Sequence, residues 1–219
     1  MIEEALRVRR LPERAHYDRA TVHSIFDDAL ICHVGFAQGE QPFVIPTIHA
    51  RVRDVLYLHG SRASRTLGVL RDGVPVCVTA TIVDDVVLAR SVFHHSMNYR
   101  SVVALGIASE VEGMEKLRAL RAIAEHVAPG RWDDVRPPSE KELRATSVLR
   151  LPLDRVSAKV RTGPPKDDEE DLDLPVWTGV LPLRTVALEP VADERAAGMK
   201  APAYLRPERE SIRGGRGGS

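Results

Sequence analysis

Cysteine is scarce in this chain: only Cys32 and Cys77 occur, and they stand far apart. That excludes a disulfide framework and any C-x-x-C zinc site, and it fits a reducing compartment. Aromatic residues make up only 5% of the chain. Neither sign of charge is in excess, with 31 Lys+Arg against 31 Asp+Glu, so nothing advertises a nucleic-acid or polyanion partner. No run approaches the ~20 apolar residues of a membrane helix. The segment Met1 to Arg14 is too charged for a signal peptide. We therefore expect a soluble, cytoplasmic protein with no membrane and no nucleic-acid partner. Also missing are a G-x-G-x-x-G, the glycines and lysine of a P-loop, and a G-x-S-x-G elbow.

What is present suffices for a core. Apolar residues are 43% of the 219, which excludes disorder of the whole chain and fits one domain with extensions. Residues 1–17 read as an N-terminal arm, 18–188 as the folded domain, and 189–219 as a disordered C-terminal tail ending in an Arg-Gly segment. Asp18 can cap a helix to Asp28 whose Val22, Ile25 and Phe26 share one face. Strand-like runs follow at Leu30–Phe36, Phe43–Ile48, Val55–His59, Val76–Val83, Val86–Phe93 and Tyr99–Val111. Asp84-Asp85 between two β-branched runs predicts a hairpin turn. A short helix carries Leu67 and Leu70, and Met114–Val127 is amphipathic. Ser139 with Glu142 predicts a capping box. Thr146–Leu153 and Arg155–Arg161 return as strands, and Pro175–Val186 looks ordered. Strands come in hairpins and do not alternate with long helices. That predicts a mainly β fold, a small barrel with peripheral helices, and not a doubly wound sheet.

Four constellations could carry chemistry. Gly60-Ser61-Arg62-Ala63-Ser64-Arg65 combines hydroxyls, guanidiniums and a helix start, which suits a phosphate; it equally suits a capped helix with solvated arginines. Phe93 to Arg100 is dense in hydrogen-bonding groups, as a ligand-binding loop or a polar surface loop would be. Its adjacent His94 and His95 would point to opposite faces of a strand, so no metal site is expected. Lys159 and Arg161 share one strand face, for a ligand or as edge-protecting charges. Trp177 could plug the core or stack on a planar ligand. The acidic run Asp167 to Asp171 reads as a solvated loop.

The order of these pieces carries a resemblance. ICHVGF, PFVIPTIHA, LYLHGSRASRTLGVL and PVCVTATIVDDVVLARSVFHHSMNYRSVVALG, with SAKVRTGPP and LPVWTGVLPL behind them, resemble the pyridoxamine 5'-phosphate oxidase-like family of FMN-binding split barrels. The nearer branch is that of nitroimidazole-resistance and flavin-nucleotide-binding proteins. The resemblance implies a six-stranded antiparallel split β-barrel with FMN in a cleft at a homodimer interface. It implies that Ser61, Arg62, Ser64 and Arg65, with His59 beside them, form the phosphate-binding turn. Val44, Ile45, Pro46 and Thr47 would line the flavin ring. Ser96, Asn98, Tyr99, Arg100 and Ser101 would contribute a second contacting strand, and Lys159, Arg161 and Trp177 would approach from the C-terminal motifs.

The implied activity is that of an FMN-dependent oxidoreductase acting on a small molecule, a reductase drawing on a nicotinamide cofactor. His94, His95 and Tyr99 are the candidate proton donors. The alternatives are a heme or a deazaflavin in the same cleft, or a flavin-binding protein without turnover. Two departures matter. The oxidase's C-terminal arginine and histidine that grip pyridoxal phosphate have no counterpart here, and Arg65 stands where nitroimidazole-resistance proteins often carry histidine.

Overall fold

Asp18 accepts a hydrogen bond from the Thr21 amide at 2.8 Å and starts helix α1 (Arg19–Asp28). Val22, Ile25 and Phe26 recur at helical spacing and are fully buried. This face packs against strands of two sheets at once. The computed structural model describes residues 3–205; the Arg-Gly segment of the expected tail lies outside them.

The larger sheet contains β1 (Ala15–His16), β2 (Cys32–Gln38), β3 (Gln41–Thr47), β6 (Pro75–Leu88), β7 (Ser96–Ile107), β10 (Val156–Arg161) and β11 (Gly179–Pro182). Its order is β1-β10-β7-β6-β2-β3. The smaller sheet contains β4 (His49–Val52), β5 (Val55–Ser61), β8 (Ser109–Glu110) and β9 (Thr146–Pro152), in the order β4-β5-β9-β8. Every pairing is antiparallel. The chain changes sheet at Ile48, through 62–74, at Ala108 and at 153–155, so the two sheets face each other across one core, as a split barrel does. Leu56 and Leu58 of β5, Leu149 and Leu151 of β9, Val78 and Ala80 of β6, and Val102 and Ala104 of β7 meet α1 there. Each large aliphatic side chain so buried contributes about 1.5–3 kcal/mol.

The remaining helices are peripheral. Helix α2 (Arg65–Arg71) buries Leu67 and Leu70. Helix α3 (Gly113–Val127) lays Ala119 and Ile123 over Tyr57 and Val148 on the outer face of the smaller sheet. Helix α4 (Glu140–Ala145) begins with the expected capping box: Ser139 accepts from the Glu142 amide, and the Glu142 carboxylate accepts from the Ser139 amide. No helix of the described residues is long and apolar enough to cross a membrane. Both flanking segments make contacts. β1 extends the larger sheet, and Tyr204 donates to Asp134 and accepts from Arg131.

One expected turn is absent. Asp84-Asp85 does not reverse the chain; β6 runs through it as one strand with a bulge between Val83 and Asp85. The reversal comes later, around a 3₁₀ turn at Val92–His94. On one edge of β6, β2 pairs at Cys77–Thr79 and β11 at Asp85–Leu88. The bulge sits between these two partners, so the paired aspartates mark a change of neighbour along one edge.

A histidine stands inside the core. His49 is wholly buried; its Nε2 donates to the Phe26 carbonyl at 2.9 Å, and its ring packs on Phe26 and His126. Nδ1 has no hydrogen-bond partner. Burial lowers the His49 pKa from 6.5 to about 4, so the folded state holds it neutral. The unfolded chain binds this proton first, so the contribution to stability is complete above pH 6.5 and is lost as pH falls toward 4. We expect that loss to reach about 3 kcal/mol. Denaturant titrations at pH 7 and pH 4.5 should show it, and His49→Gln, which keeps a donor for the Phe26 carbonyl, should flatten the dependence.

Candidate functional site

β5 ends at Ser61 and α2 begins at Arg65, so the polar turn is held between two ordered elements. The Arg62 amide donates to the Ala145 carbonyl at 2.8 Å, and the Ser64 amide to the Ser61 carbonyl at 2.9 Å. Ser64 occupies the N-cap position of α2, yet its side chain makes no capping hydrogen bond. Gly60 lets the turn close: a Cβ there would lie 3.2 Å from Leu67 Cδ1. Arg62 is exposed and reaches Glu112 only at 3.7 Å. The Arg65 guanidinium lies over the Phe43 ring, 4.5 Å from its centroid. That contact ties the turn to β3, an edge strand with Val44 exposed. Two guanidiniums and two hydroxyls thus stand in one turn beside a strand edge, a donor set that suits an anionic ligand.

The second expected group lies elsewhere. Asn98 is buried, and its amide donates to Asp85 at 2.8 Å and to the Gly163 carbonyl at 3.1 Å. Its oxygen accepts from Arg161 at 2.6 Å. Arg100 donates to Asp84 and Asp28, at 3.0 and 2.5 Å. Ser101 donates to the Lys159 carbonyl, and Lys159 to the Arg10 carbonyl. Tyr99 stands opposite Arg161 in the ladder, and Ser96 is exposed at the start of β7. His94 bonds Asp168 at 2.9 Å, which raises its pKa. His95 Nδ1 donates to the Ser91 carbonyl at 2.9 Å. Trp177 is exposed, with Gly179 under its ring.

The acidic run is more than a solvated loop. Asp167 is covered by protein and accepts from the Arg90 amide at 2.7 Å and from its guanidinium at 2.8 Å. Those donors lower its pKa.

Within one chain these two groups do not meet. β3 and β7 stand three strand spacings apart, about 14 Å. Ser96 to Tyr99 also pair with Val83 to Val87, beyond the stretch of β6 that β2 covers.

A third feature adjoins the first group. A groove of about 580 Å³ runs between α3 and α4. α3 contributes Leu120, Ile123, Ala124 and Val127; Trp132 and Leu143 face them across the groove's lining. Ile48, just past β3, and His59, two residues before Ser61, line it too. Arg136 and Glu142 are its charged pair, bonded at 2.8 and 2.5 Å. His59 is half-buried, its Nδ1 has no hydrogen-bond partner, and burial lowers its pKa.

The sequence reading missed Asp28, Asp84, Asp85, Arg90 and Asp167 as partners. A signal existed: two carboxylates inside an apolar β run need cations nearby, and Arg100 and Arg161 were available.

The fold and these clusters define a split barrel with an anion-suited turn. Residues 18–160 match the model of the pyridoxamine 5'-phosphate oxidase family, and the chain belongs to that family. Among solved structures, the flavocytochrome Anf3 from Azotobacter vinelandii is 38% identical, with a TM-score of 0.86, covering 93% of this chain and 95% of its own. The FAD and heme binding protein from Mycobacterium smegmatis is 33% identical, with a TM-score of 0.84, covering 88% of this chain and 95% of its own. A proposed 5-nitroimidazole antibiotic resistance protein from Bacteroides thetaiotaomicron is 28% identical, with a TM-score of 0.57, over 67% of this chain and 86% of its own. A search of curated proteins gives no significant match.

Removing the Asn98 amide should leave the buried Arg161 guanidinium without the oxygen that accepts from it and take one donor from Asp85. Asn98→Ala is expected to cost about 3 kcal/mol. Ser96→Ala, on the exposed start of the same strand, should stay within about 0.5 kcal/mol. Urea midpoints of the two variants test the contrast.

Proposed function

We propose that this chain is a redox protein that binds a flavin nucleotide, FAD rather than FMN, together with heme. The observation that carries the reading is the likeness, at 38% and 33% identity over about nine-tenths of the chain, to a flavocytochrome and to an FAD and heme binding protein. The reading of an FMN reductase needs only the barrel; heme needs a further apolar slot with an imidazole, and the groove at His59 offers that chemistry.

Arg62 and Arg65, with the hydroxyls of Ser61 and Ser64, would hold the flavin's phosphates by charge-assisted hydrogen bonds. The edge of β3 from Val44 to Thr47 would offer main-chain groups to the ring. Only alternate N–H groups of an edge strand point away from its neighbour, and Pro46 has none, so the ring would meet either Val44 or the pair Ile45 and Thr47 as donors. The separation of this group from β7 supports a site completed by a second copy of the chain, in which Tyr99, Lys159 or Trp177 of one copy would approach the turn of the other. When bound, the flavin supplies two-electron chemistry and the heme one-electron chemistry. His94, kept protonated to higher pH by Asp168, is the best-equipped proton donor of the three candidates. The electron donor would be a nicotinamide nucleotide, and the acceptor a small molecule.

The test is the absorbance spectrum of the purified protein with its extracted cofactors identified by mass. We expect FAD and a Soret band, and a protein that carries no flavin and takes none up overturns the reading. Arg65→Ala should weaken flavin binding by about 2 kcal/mol, roughly thirtyfold in Kd. Fluorescence titration of the flavin-free protein measures it.

A further inference from the structure

We infer that the groove between α3 and α4 is the heme site of this chain, with His59 as the axial ligand to the iron. The inference rests on the heme half of the function proposed above and adds the place and the ligand.

A heme asks for three things: a slot with apolar lining, a neutral imidazole within it, and a cation where the propionates emerge. The lining supplies the first. Leu120, Ile123 and Val127 of α3 and Leu143 of α4 present hydrocarbon to the groove, and Trp132 adds an aromatic surface. Its volume of about 580 Å³ is large for a gap between two surface helices. His59 supplies the second. Among the described residues it is the one histidine that lines the groove. Its buried Nδ1 lacks a partner, so no hydrogen bond made there fixes the tautomer. Arg136 is the cation on the lining, and it shares its guanidinium with Glu142 at 2.8 and 2.5 Å.

Four other imidazoles are less available. His49 and His126 bond the Phe26 and Ala29 carbonyls, while His94 and His95 bond Asp168 and the Ser91 carbonyl, at the far group. Position adds a further argument. His59 and Ser61 lie on one strand, about 7 Å apart along it. Ligation at His59 would therefore set the iron beside the turn proposed for the flavin, as electron exchange between the two groups requires. Ligation itself needs no co-reactant: the imidazole lone pair forms one bond to iron and displaces at most a water.

The experiment is a hemin titration of the full chain, followed by the Soret band, with flavin content scored separately on the same samples. Wild type should bind hemin with an imidazole-ligated spectrum. His59→Gly should lose that spectrum and regain it on adding free imidazole. Ala124→Trp, which fills the groove and leaves the His59 side chain in place, should abolish hemin uptake and keep the flavin; circular dichroism confirms that both variants fold. Hemin uptake with an unchanged Soret band in His59→Gly overturns the site while the heme reading stands. Flavin binding without hemin uptake by the wild type overturns the site and the heme reading together. Absence of both cofactors overturns the whole functional reading.

Discussion

Two guanidiniums on the inner strands of the larger sheet must find carboxylates, and much of the fold answers that demand. A buried charge without a partner costs several kcal/mol, so Arg100 and Arg161 constrain whatever packs around them. Asp84 and Asp85 meet both, Asp84 directly and Asp85 through Asn98. Adjacent residues on a regular strand point to opposite faces, and the bulge in β6 is the local adjustment between them. Asp28, the last residue of α1, joins Arg100 and so ties the core helix to β7. The Gly163 carbonyl accepts from Asn98, and the Leu183 amide donates to the Asp84 carbonyl. Helix, sheet and C-terminal strand are fastened to one polar cluster.

That cluster also explains where sequence reasoning succeeded and where it did not. The spacing of Val22, Ile25 and Phe26, the capping box at Ser139 and the strand content of the barrel all rest on local periodicity, and local periodicity survived folding. The Asp84-Asp85 turn failed because a turn preference is weak beside an ion pair from Asp84 to Arg100 and a hydrogen bond from Asn98 to Asp85, both made across the ladder to β7. Asn98 and Arg100 fared similarly. Their residue types suit a ligand, but their hydrogen bonds are made inside the protein. Nothing within a few residues of either position reveals that Asp28 or Arg161 will be its neighbour. The acidic run looked solvated because Arg90 lies 77 residues from Asp167.

The Ser61 to Arg65 turn was legible because the opposite holds there. Its polar groups are barely used by the fold: Ser64 caps nothing, Arg62 meets a carboxylate only at 3.7 Å, and Arg65 rests on an aromatic face. A cluster of strong donors that the structure leaves under-used is where a ligand gains most, since binding then breaks few existing hydrogen bonds. The β7 group has less to offer. Reassigning Asn98 or Arg100 to a ligand would first unpair a carboxylate. In the site proposed above, what β7 would contribute to a cofactor is positional, through Tyr99 and the exposed Ser96, and it would reach the turn across a subunit boundary.

The same logic separates the two orphaned imidazoles. His49 and His59 each leave Nδ1 without a partner, and burial lowers the pKa of both. His49 has its other nitrogen fixed by a main-chain carbonyl and its ring enclosed by Phe26 and His126, so nothing can approach it. It acts on stability alone, as an acid-sensitive plug. His59 lies on the outer face of the smaller sheet, where α3 and α4 leave a groove open beside it. One residue chemistry thus has two outcomes, decided by whether packing around the ring is complete. An incomplete wall around a neutral imidazole is costly for a protein that binds nothing there, since the apolar lining stays in contact with water. The heme proposed for this groove would offset that cost by filling the space.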